Sequence, residues 1–498
     1  MTTKKNTAKK LVSIKKSPKK LGHPMKGRDV IVKALENEGV KVIFGYPGGT
    51  SMEIHQGLTL TKKIRMVLPR HEQGGSFAAG GYARSTGEVG VCMATSGPGA
   101  TNLITGIIDA KMDSIPIVAI TGQVASTLLG SDAFQETDIM GATFPLVKHS
   151  YMIQNVEEIP RIVHEAFHIA RSGRPGPVLI DIPKNIQQQE GIADFDVSFD
   201  CPSYKPNLKP SVLQCKKAAH TIQTAKRPII YAGGGIISSG ASEELRAFAK
   251  KTGIPVTTTA MGLGAFPSND PLSLRMLGMH GAVYANIAIN HADLVIAMGV
   301  RFDDRVTGKL AEFCKNAQFI QIDIDPTEIN KNITIDVPIQ GDVKQALKIL
   351  TGYVEPKKDI KPWVKQVNEW KKEFPLEFEL KKGEIVPQSV VSDINKLAAK
   401  DAIFSVGVGQ HQMWAAQFLD FDMPNNWLCS SGLGAMGFGL PAAMGAQVAF
   451  PNRQVINIEG DGSFLMNIQE LQTLKIENIP VKNIVLNNAH LGMVAQWE

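Results

Sequence analysis

The C-terminal part of the chain carries an acidic residue and a pair of amides at a spacing that could hold a metal ion. Asp461 lies between Gly460 and Gly462, and twenty-four residues separate Gly462 from Asn487 and Asn488. Carboxylate and amide oxygens are hard ligands, and Mg²⁺ commonly combines them with phosphate oxygens of a bound molecule. A lone Gly-Asp-Gly is usually a turn or a helix cap. With the amide pair added, the pattern predicts a site for a magnesium diphosphate.

Two predicted strands and a predicted helix would bring these residues together. Residues 454–459 are apolar and rich in β-branched side chains, and residues 481–486 form a second apolar run. Both read as buried strands, and the helical spacing of residues 463–477 predicts a helix between them. In a strand–helix–strand unit the carboxyl ends of both strands meet at one sheet edge, which is where ligands bind.

Two further segments could serve the same chemistry. Four glycines at 432, 434, 437 and 439 alternate with apolar residues before a helix-like segment, so backbone N–H groups could meet phosphate oxygens. The alternative is a flexible surface loop, but the interleaved apolar residues favour a buried one. Glu72 follows the strand-like run 65–68 and precedes two glycines. Such a carboxylate is by itself usually a helix cap.

These motifs resemble the large catalytic subunit of the acetohydroxyacid synthase (acetolactate synthase) family, which uses thiamine diphosphate (ThDP). The resemblance is carried by Asp461 with Asn487 and Asn488, and by residues 407–414, 432–441 and 491–498. It extends from about Gly27 to the last residue. It implies an α/β protein of three doubly wound parallel-sheet domains.

The strand and helix pattern agrees with that division. A chain of 498 residues is too long for one core. We expect a pyrimidine-binding domain at 27–190, a central FAD-binding domain at 211–350 and a diphosphate-binding domain at 385–498. Nine lysines and no acid fall within residues 1–28, so residues 1–26 are expected to be a disordered basic arm. Family members continue beyond the motif at 491–498, so we expect a C-terminally truncated sequence.

The resemblance implies roles for the ThDP and magnesium residues. Glu72 is the expected catalytic residue, hydrogen-bonded to a ring nitrogen of the cofactor's aminopyrimidine and promoting its imino tautomer. The other expected ThDP contacts are Gln410, His411, Gly434, Met436, Gly462 and Ser463. Met436 would support the bent conformation of the cofactor. The expected metal ligands are Asp461, Asn488 and His490.

A flavin site is implied in the central block. The glycines that follow residues 228–232 form an imperfect dinucleotide fingerprint, which is weak alone. Residues 276–281 and 299–309 resemble the family's flavin-binding segments, and the family uses FAD structurally rather than for redox. The expected FAD contacts are Arg174, Gly234, Gly235, Met279, His280, Gly299, Arg301, Asp303, Arg305, Asp323, Ile324 and Asp342.

For the substrates, the family implies pyruvate and 2-oxobutyrate. A 2-oxo acid carboxylate calls for a guanidinium, and Arg305 matches that role, with a surface ion pair to Asp303 or Asp304 as the alternative. Trp497 resembles a tryptophan that favours 2-oxobutyrate, and a core or interface tryptophan is its alternative. Phe134, Gln135 and Lys184 are the other expected pocket residues.

The implied activity decarboxylates pyruvate and transfers the hydroxyethyl group to pyruvate or 2-oxobutyrate, the first common step of valine, leucine and isoleucine synthesis. Another ThDP/FAD enzyme of 2-oxo acids, such as a pyruvate oxidase, or a non-catalytic truncated subunit are the alternatives. In the family Glu72 and Asp461 come from different subunits, which implies a homodimer or homotetramer, together with a small regulatory subunit.

Composition narrows the remaining possibilities. The chain is 43% apolar and 20% charged and has no apolar run long enough to span a bilayer, so we expect no membrane partner. A short lysine-rich run is usually just solvated, so nucleic acid is not expected either. The arm has no arginine before Arg28, unlike most transit peptides. A bacterial cytoplasm is therefore the expected location, with the plastid stroma as the alternative.

Overall fold

The computed structural model describes residues 22–198 and 203–498. Most of the predicted basic arm, residues 1–21, lies outside the described residues. The last two residues of that predicted arm, Met25–Lys26, form strand β1, which pairs antiparallel with β8 at Glu190–Gly191. The predicted arm is therefore two residues too long at its C-terminal end, because backbone pairing holds Met25 and Lys26 against the first folded unit.

The first unit is an open sheet of six parallel strands in the order β3-β2-β4-β5-β7-β6. Its strands are β2 Val42–Gly45, β3 Arg65–Val67, β4 Gly90–Ala94, β5 Ile117–Gln123, β6 His149–Met152 and β7 Val178–Pro183. Its helices are α1 Gly27–Asn37, α2 Met52–Leu60, α3 Glu72–Thr86, α4 Pro98–Asn102, α5 Ile104–Asp113, α6 Ile139–Thr143, α7 Ile159–Arg171 and α8 Lys184–Gln188. Strands β4, β5 and β7 are buried along their whole length, as expected for parallel strands covered on both faces.

The central unit is a second parallel six-stranded sheet in the order β11-β10-β9-β12-β13-β14. Its strands are β9 Pro228–Ala232, β10 Val256–Thr258, β11 Ser273–Met276, β12 Leu294–Met298, β13 Gln318–Asp323 and β14 Val337–Gln340. Its helices are α9 Val212–Thr224, α10 Gly234–Ser238, α11 Ser242–Thr252, α12 Val283–His291, α13 Asp304–Thr307, α14 Val343–Tyr353 and α15 Lys361–Glu373. Numbered within the unit the order is 3-2-1-4-5-6, the arrangement of dinucleotide-binding folds.

The third unit has four parallel strands in the order β16-β15-β17-β18. They are β15 Ile403–Val406, β16 Trp427–Cys429, β17 Val455–Gly460 and β18 Lys482–Leu486. The helices are α16 Pro387–Leu397, α17 Gln410–Phe418, α18 Gly439–Ala449, α19 Asp461–Met466, α20 Glu470–Ile476 and α21 Gly492–Ala495. The three parallel sheets flanked by helices confirm the predicted α/β doubly wound fold class.

One predicted element differs from the observed one. The helix expected over 463–477 is two helices, α19 and α20, separated at Asn467. The backbone of Asn467 leaves the helical region, and its Nδ2 donates to the carbonyl of Gly437 at 2.8 Å. A side-chain bond to a distant backbone group therefore competes with the continuous helix that the apolar spacing predicts.

The first and third units pack together along α3 and α18. Small residues, Ala78 and Gly81 on α3 and Ala442 and Gly445 on α18, bring the two helix backbones into contact. This packing fixes the position of the first unit relative to the predicted diphosphate-binding segments of the third. Within the described residues, no helix has the length and apolar character needed to cross a membrane.

Candidate active site

The predicted diphosphate residues lie where the chain crosses from one face of the third sheet to the other. Strands β15 and β17 are neighbours, and each is followed directly by a helix, α17 or α19. In an open parallel sheet, ligands bind in the crevice at the carboxyl ends of such a strand pair. Gln410 is the first residue of α17 and Asp461 is the first residue of α19, so the sheet places both at that crevice.

The predicted metal residues come from two adjacent strand ends. Asp461 follows β17, and Asn488 lies two residues beyond β18, which pairs with β17. The Nδ2 of Asn488 donates to Gln410 Oε1 at 3.4 Å, and Gln410 Nε2 donates to Gln496 Oε1 at 3.1 Å. The Nδ1 of His490 lies 2.6 Å from the carbonyl of Asn488, so its ring is engaged by its own backbone.

No cluster of three or more His, Cys, Asp or Glu side chains suited to a metal ion occurs within residues 22–198 and 203–498. A magnesium ion at this crevice would therefore depend on Asp461 together with amide, backbone and ligand oxygens. That donor set suits Mg²⁺, which prefers oxygens and takes several of them from bound phosphates.

The glycine-rich segment 432–439 forms one wall of the same crevice. Gly434 has a φ of 71°, and a Cβ placed on it would meet no atom within 4 Å, so its backbone is open to a ligand. The Oγ of buried Ser463 accepts from the N–H of Gly437 at 2.9 Å. At the helix N-terminus that ends the segment, the N–H of Leu440 donates to Glu459 Oε1 at 3.0 Å, so this group is not available to a phosphate.

A buried pair of titratable side chains lies beneath the crevice. Glu459 is fully buried in β17, and burial raises its pKa to about 7. Its Oε2 lies 3.8 Å from the Nε2 of His411, a residue of α17. Burial lowers the pKa of His411 to about 4, so this imidazole is neutral near neutral pH. His411 can then act as a hydrogen-bonding group but not as a cation for a diphosphate.

The predicted flavin residues gather at the corresponding point of the central sheet. Strands β9 and β12 are neighbours at the centre of the 3-2-1-4-5-6 order, and Gly235 and Gly299 follow them. A Cβ on Gly235 would lie 2.6 Å from the Cα of Gly299, so only glycine permits this approach of two backbones. The strand order reverses here, at the place where dinucleotide phosphates bind in this fold.

Arg174 connects the first unit to the central one. Its Nε donates to Ser114 Oγ at 2.9 Å, and its Nη1 donates to Glu328 Oε1 at 2.7 Å and to Asp325 Oδ2 at 3.1 Å. Burial raises the pKa of neighbouring Asp323 to about 6. Arg174 is thus held by protein carboxylates among the predicted flavin residues.

The two predicted substrate residues of the central and third units are exposed. The side chain of Arg305 is 69% exposed, and its Nη2 lies 3.4 Å from Asp304 Oδ2, which is the ion pair anticipated as its alternative role. Trp497 is 62% exposed. Both nonetheless face the cavity described next.

A single cavity of about 1190 Å³ runs between the three units and includes all of these positions. It is larger than the roughly 300–1,000 Å³ of an ordinary small-molecule site, so it has room for more than one ligand. Every predicted flavin residue, every predicted metal residue and every predicted ThDP residue except Glu72 lines it. The buried Nε2 atom of His280 in its wall has no hydrogen-bond partner within the described residues. A polar ligand would satisfy it.

Glu72 does not line this cavity. It is the first residue of the fifteen-residue helix α3, whose other end, at Ala83 and Arg84, lines the cavity. The helix separates the two ends by roughly 21 Å. The Oε2 of Glu72 accepts from Asn102 Nδ2 at 3.0 Å. Glu470 from the third unit fixes the preceding turn, because its carboxylate accepts from the N–H groups of Arg70 and His71 at 2.9 and 3.1 Å.

The remaining predicted pocket residues share the sheet edge with Glu72. Lys184 directly follows β7, and Gln135 contacts Gly97, which precedes α4. Phe134 beside it is 88% exposed. Phe134, Gln135 and Lys184 therefore group with Glu72 at the carboxyl edge of the first sheet and, like it, do not line the cavity of their own chain.

A buried carboxyl group at this edge predicts a pH effect on stability. Burial raises the pKa of Asp181 to about 7, although Thr121 Oγ1 and Gln123 Nε2 donate to it at 2.7 and 2.9 Å. The pKa of Asp181 is higher in the folded than in the unfolded protein. The protonated carboxyl group therefore contributes its full stabilisation of the folded state below pH 4, and this contribution is lost as the pH rises through about 7. Asp181→Asn should gain stability relative to the wild type over that range, by a few kcal/mol at most. Melting temperatures of both proteins from pH 4.5 to 8 measure this, and parallel pH profiles would contradict it.

Several residues that organise the site give no sequence motif. Glu459, Glu470 and Asp113 act through hydrogen bonds to backbone N–H groups far away in the chain. Glu459 immediately precedes the Gly-Asp-Gly, and a charged residue at the end of a buried strand was the only available signal. Glu470 and Asp113 look like ordinary helix residues in the sequence.

Comparisons with known proteins agree with this geometry. Three family models match: the N-terminal TPP (thiamine pyrophosphate, the same compound as ThDP) binding domain of thiamine pyrophosphate enzymes at residues 25–142, their central domain at 215–350 and their C-terminal TPP binding domain at 407–498. The chain is 56% identical over 482 residues to acetolactate synthase 3, chloroplastic, of Brassica napus, covering 95% of this chain and 74% of that protein.

Two other relatives give the same result. Acetolactate synthase, chloroplastic, of Arabidopsis thaliana is 54% identical, covering 95% of this chain and 72% of that protein. Acetolactate synthase 1, chloroplastic, of Oryza sativa subsp. japonica is 55% identical, covering 95% of this chain and 74% of that protein. With three parallel-sheet units in the matching order and a cavity between them, this chain belongs to the acetolactate synthase family of thiamine pyrophosphate enzymes.

Proposed function

We propose that the chain is a ThDP-dependent acetolactate synthase. It decarboxylates pyruvate and transfers the resulting two-carbon group to a second pyruvate or to 2-oxobutyrate. The observation that carries the proposal is the cavity that joins the Asp461–Asn488 crevice to the Gly235–Gly299 crossing of a dinucleotide-binding sheet. The products, 2-acetolactate and 2-aceto-2-hydroxybutyrate, open the synthesis of the branched-chain amino acids.

The three units take different parts of this function. Residues 27–190 form the pyrimidine-binding domain, residues 211–350 the FAD-binding domain and residues 385–498 the diphosphate-binding domain. The family models match at 25–142, 215–350 and 407–498, one in each of these regions; the first match ends at residue 142, before strands β6 and β7, so the bound at 190 rests on the sheet. No feature of the described residues favours the two other functions considered from the sequence, a pyruvate oxidase or a non-catalytic subunit.

The residues of the crevice fit ThDP and Mg²⁺. Asp461 and Asn488 supply oxygen ligands, and the open backbone at Gly434 together with Gln410, Gly462 and Ser463 would bind the diphosphate. The carbonyl oxygen of His490, rather than its engaged ring, would be that residue's donor. Met436 faces Gly462 and would support the cofactor's bend. When bound, ThDP supplies the electron sink that makes loss of carbon dioxide from a 2-oxo acid possible.

The flavin end of the cavity fits FAD. Gly235 and Gly299 line the cavity where the strand order reverses, the place where a dinucleotide pyrophosphate binds in this fold, and the carboxyl group of Asp323 at the end of β13 lines the same cavity and could accept from a flavin hydroxyl. His280 offers a buried ring nitrogen without a protein partner. Arg174, although bonded to Glu328, lines the cavity and can also meet a flavin.

Two chain residues would recognise the substrate carboxylate and the acceptor. Arg305 lines the cavity, and its guanidinium has a solvent-exposed ion pair with Asp304 and a 3.9 Å contact to Met279 Sδ, so it can still bind a 2-oxo acid. Trp497 at the same cavity would contact the acceptor's alkyl group. Glu72 would hold and release a proton at the aminopyrimidine ring of the cofactor.

A second copy of the chain completes the site. Within one chain Glu72 and Asp461 lie at separate edges, yet the chemistry requires both beside one cofactor. Large apolar side chains flank both edges: Phe134 and Phe144 are 88% and 78% exposed, and Leu465 and Met466 are 64% and 54% exposed. Exposed apolar surface of this extent marks an interface. We therefore expect a homodimer, or a tetramer built from it, in which each first unit serves its partner's cofactor.

Mixing two inactive variants tests this shared site. Glu72→Gln and Asp461→Ala should each be inactive alone. In dimers of one variant with the other, one of the two sites receives an intact Glu72 and an intact Asp461. Random pairing of equal amounts should thus restore about a quarter of the wild-type activity. The assay is acetolactate formation after the mixture is dissociated and reassembled. No recovery, with mixed dimers demonstrated by a size tag, would contradict the shared site.

A small regulatory subunit is part of the proposal by family membership alone. For the compartment, the relatives named chloroplastic support the plastid stroma, whereas the bacterial cytoplasm depends on the lysine-rich arm. Residues 1–21 of that arm lie outside the described residues. Import of a fluorescent fusion of residues 1–26 into isolated chloroplasts would separate the two.

Product analysis tests the activity directly. The full chain is supplied with pyruvate, ThDP, Mg²⁺ and FAD, and the products are separated. Acetolactate supports the proposal, whereas acetaldehyde or acetyl phosphate would replace it with a decarboxylase or an oxidase. Bleaching of the flavin by pyruvate would indicate that the flavin carries electrons.

A further inference from the structure

A buried carboxylate of the first unit reaches across to the glycine-rich segment of the third. Asp113 is the last residue of α5, and its side chain is fully buried. Its Oδ1 accepts from the N–H of Gly432 at 2.7 Å, and its Oδ2 accepts from the N–H of Ser431 at 3.0 Å. Two consecutive backbone groups of the segment are thus held by one side chain some 320 residues earlier in the chain.

Arg84 fixes that carboxylate in turn. Its Nη2 donates to Asp113 Oδ2 at 2.9 Å and to Asp109 Oδ2 at 2.8 Å, and its side chain is 3% exposed. Its guanidinium lies 4.8 Å from the ring centre of Phe438, and its carbonyl accepts from Asn425 Nδ2 at 2.7 Å. Arg84 therefore contacts the third unit at Phe438 and at Asn425, which flank residues 431–432 in the sequence.

The position of Asp113 is unfavourable for its own helix. The C-terminus of a helix carries partial negative charge and disfavours a carboxylate. The next residue, Ser114, adopts a φ of 59°, which is uncommon for a residue other than glycine. A buried acid at a helix C-terminus followed by a strained backbone is explained by its bonds to the glycine segment and not by the helix.

The segment beyond these two bonds is the part that faces the ligand. Gly432, Leu433, Gly434 and Met436 line the cavity, and Gly434 is open on its cavity side. On the far side the N–H of Gly437 is held by Ser463. The segment is therefore fixed at 431–432 by Asp113 and at 437 by Ser463, with the exposed backbone between them.

We propose that Asp113, held by Arg84, is a positioning residue for the diphosphate-binding segment and sets the affinity for ThDP. This inference rests on the proposed function. Arg84 lies on the helix that begins with Glu72, so the first unit would serve two sites: Glu72 acts in the partner's site, and Asp113 shapes the site of its own chain. Asp113 does not touch the reacting atoms, so its loss should weaken cofactor binding more than it slows turnover.

The test measures ThDP binding and turnover separately. Asp113→Asn keeps one oxygen acceptor but presents an amide donor to one of the two N–H groups, and Asp113→Ala removes both acceptors. The Kd for ThDP with Mg²⁺, measured by calorimetry, should rise about tenfold or more for Asn and further for Ala. At saturating ThDP, kcat should stay within about threefold of the wild type, because the chemistry uses other residues.

Asp293→Asn is the matched control, because the carboxylate of Asp293 in the central unit also accepts from two consecutive backbone N–H groups, those of Lys226 and Arg227, at 2.7 and 2.8 Å, and does not line the cavity. Its Kd for ThDP should equal that of the wild type. If Asp113→Ala does not fold, Asp113→Asn still decides the question, with its FAD content and melting temperature verifying the fold. An unchanged Kd in folded Asp113→Asn would overturn the inference. A wild-type protein that binds ThDP without making acetolactate would overturn the proposed function instead, and the Kd comparison would still stand.

Discussion

Glu72→Gln is expected to lower kcat for acetolactate formation by about 10²- to 10⁴-fold, the usual contribution of a general acid–base group. Glutamine has nearly the same shape and can still accept the hydrogen bond from Asn102 Nδ2. It cannot hold a transferable proton at the cofactor ring. Binding of ThDP, Mg²⁺ and FAD should therefore survive while turnover is lost. Steady-state rates at saturating cofactors measure the effect.

Glu88→Gln provides the control, since Glu88 is exposed near the opposite end of α3 and faces neither edge. It should retain wild-type kcat. Near-normal turnover by Glu72→Gln would remove Glu72 from the mechanism and with it the argument for a site shared between two chains.

Asp461→Ala is expected to abolish magnesium-dependent ThDP binding. Loss of a residue that merely hydrogen-bonds to a metal ligand costs about 10- to 100-fold in metal affinity, so loss of a ligand itself should cost at least the upper figure. FAD content should be unchanged, because its expected contacts lie in the central unit and on Arg174. Calorimetric titration of the variant with ThDP at several Mg²⁺ concentrations measures the loss.

Substitution of the neighbouring amide, Asn487, distinguishes the loss of a metal ligand from a general disturbance of this loop. Asn487 is exposed, and its side chain only accepts from the N–H of Ala489 at 2.9 Å. Asn487→Ala should bind ThDP as the wild type does, whereas Asn488→Ala should weaken it. Equal affinity of Asp461→Ala and the wild type would contradict the proposed metal site.

Central strands of the fold could be predicted from the sequence because they are continuous apolar runs. The predicted strand at 454–459 matches β17, Val455–Gly460, whose first five residues are buried. Edge strands carry a weaker signal: the predicted run 481–486 matches edge strand β18, but β18 is partly exposed rather than buried as expected. Strand β6, His149–Met152, is partly exposed, and β14, Val337–Gln340, contains a proline, so neither run is recognisable as a strand.

Within the site, the residues that follow strands could be predicted from the sequence. The residues that hydrogen-bond to these segments and hold them in position could not. The position of Asp461 after β17 is local, and so is that of Gly299 after β12. Asp113 bonding Gly432, or Glu470 bonding Arg70, joins residues some 320 and 400 positions apart. Such contacts depend on how α3 packs on α18, and no periodicity or spacing in one sequence encodes that packing.

The distribution of predicted residues between two edges was also not derivable from their positions in the sequence. Gln410, Gly434 and Asp461 line the cavity, whereas Glu72, Gln135 and Lys184 lie at the far edge of the first sheet. Only the family resemblance indicated that the two groups meet in a dimer. The structure adds a physical reason, since one rigid helix holds Glu72 away from the cavity of its own chain.

The carbon balance of the reaction distinguishes carboligation from simple or oxidative decarboxylation. The full chain is incubated with pyruvate, ThDP, Mg²⁺ and FAD, and pyruvate loss, carbon dioxide and acetolactate are measured together. Carboligation predicts two pyruvates consumed for each carbon dioxide and each acetolactate formed, with no consumption of an oxidant. One carbon dioxide for each pyruvate, with acetaldehyde or acetyl phosphate as the product, would contradict the account.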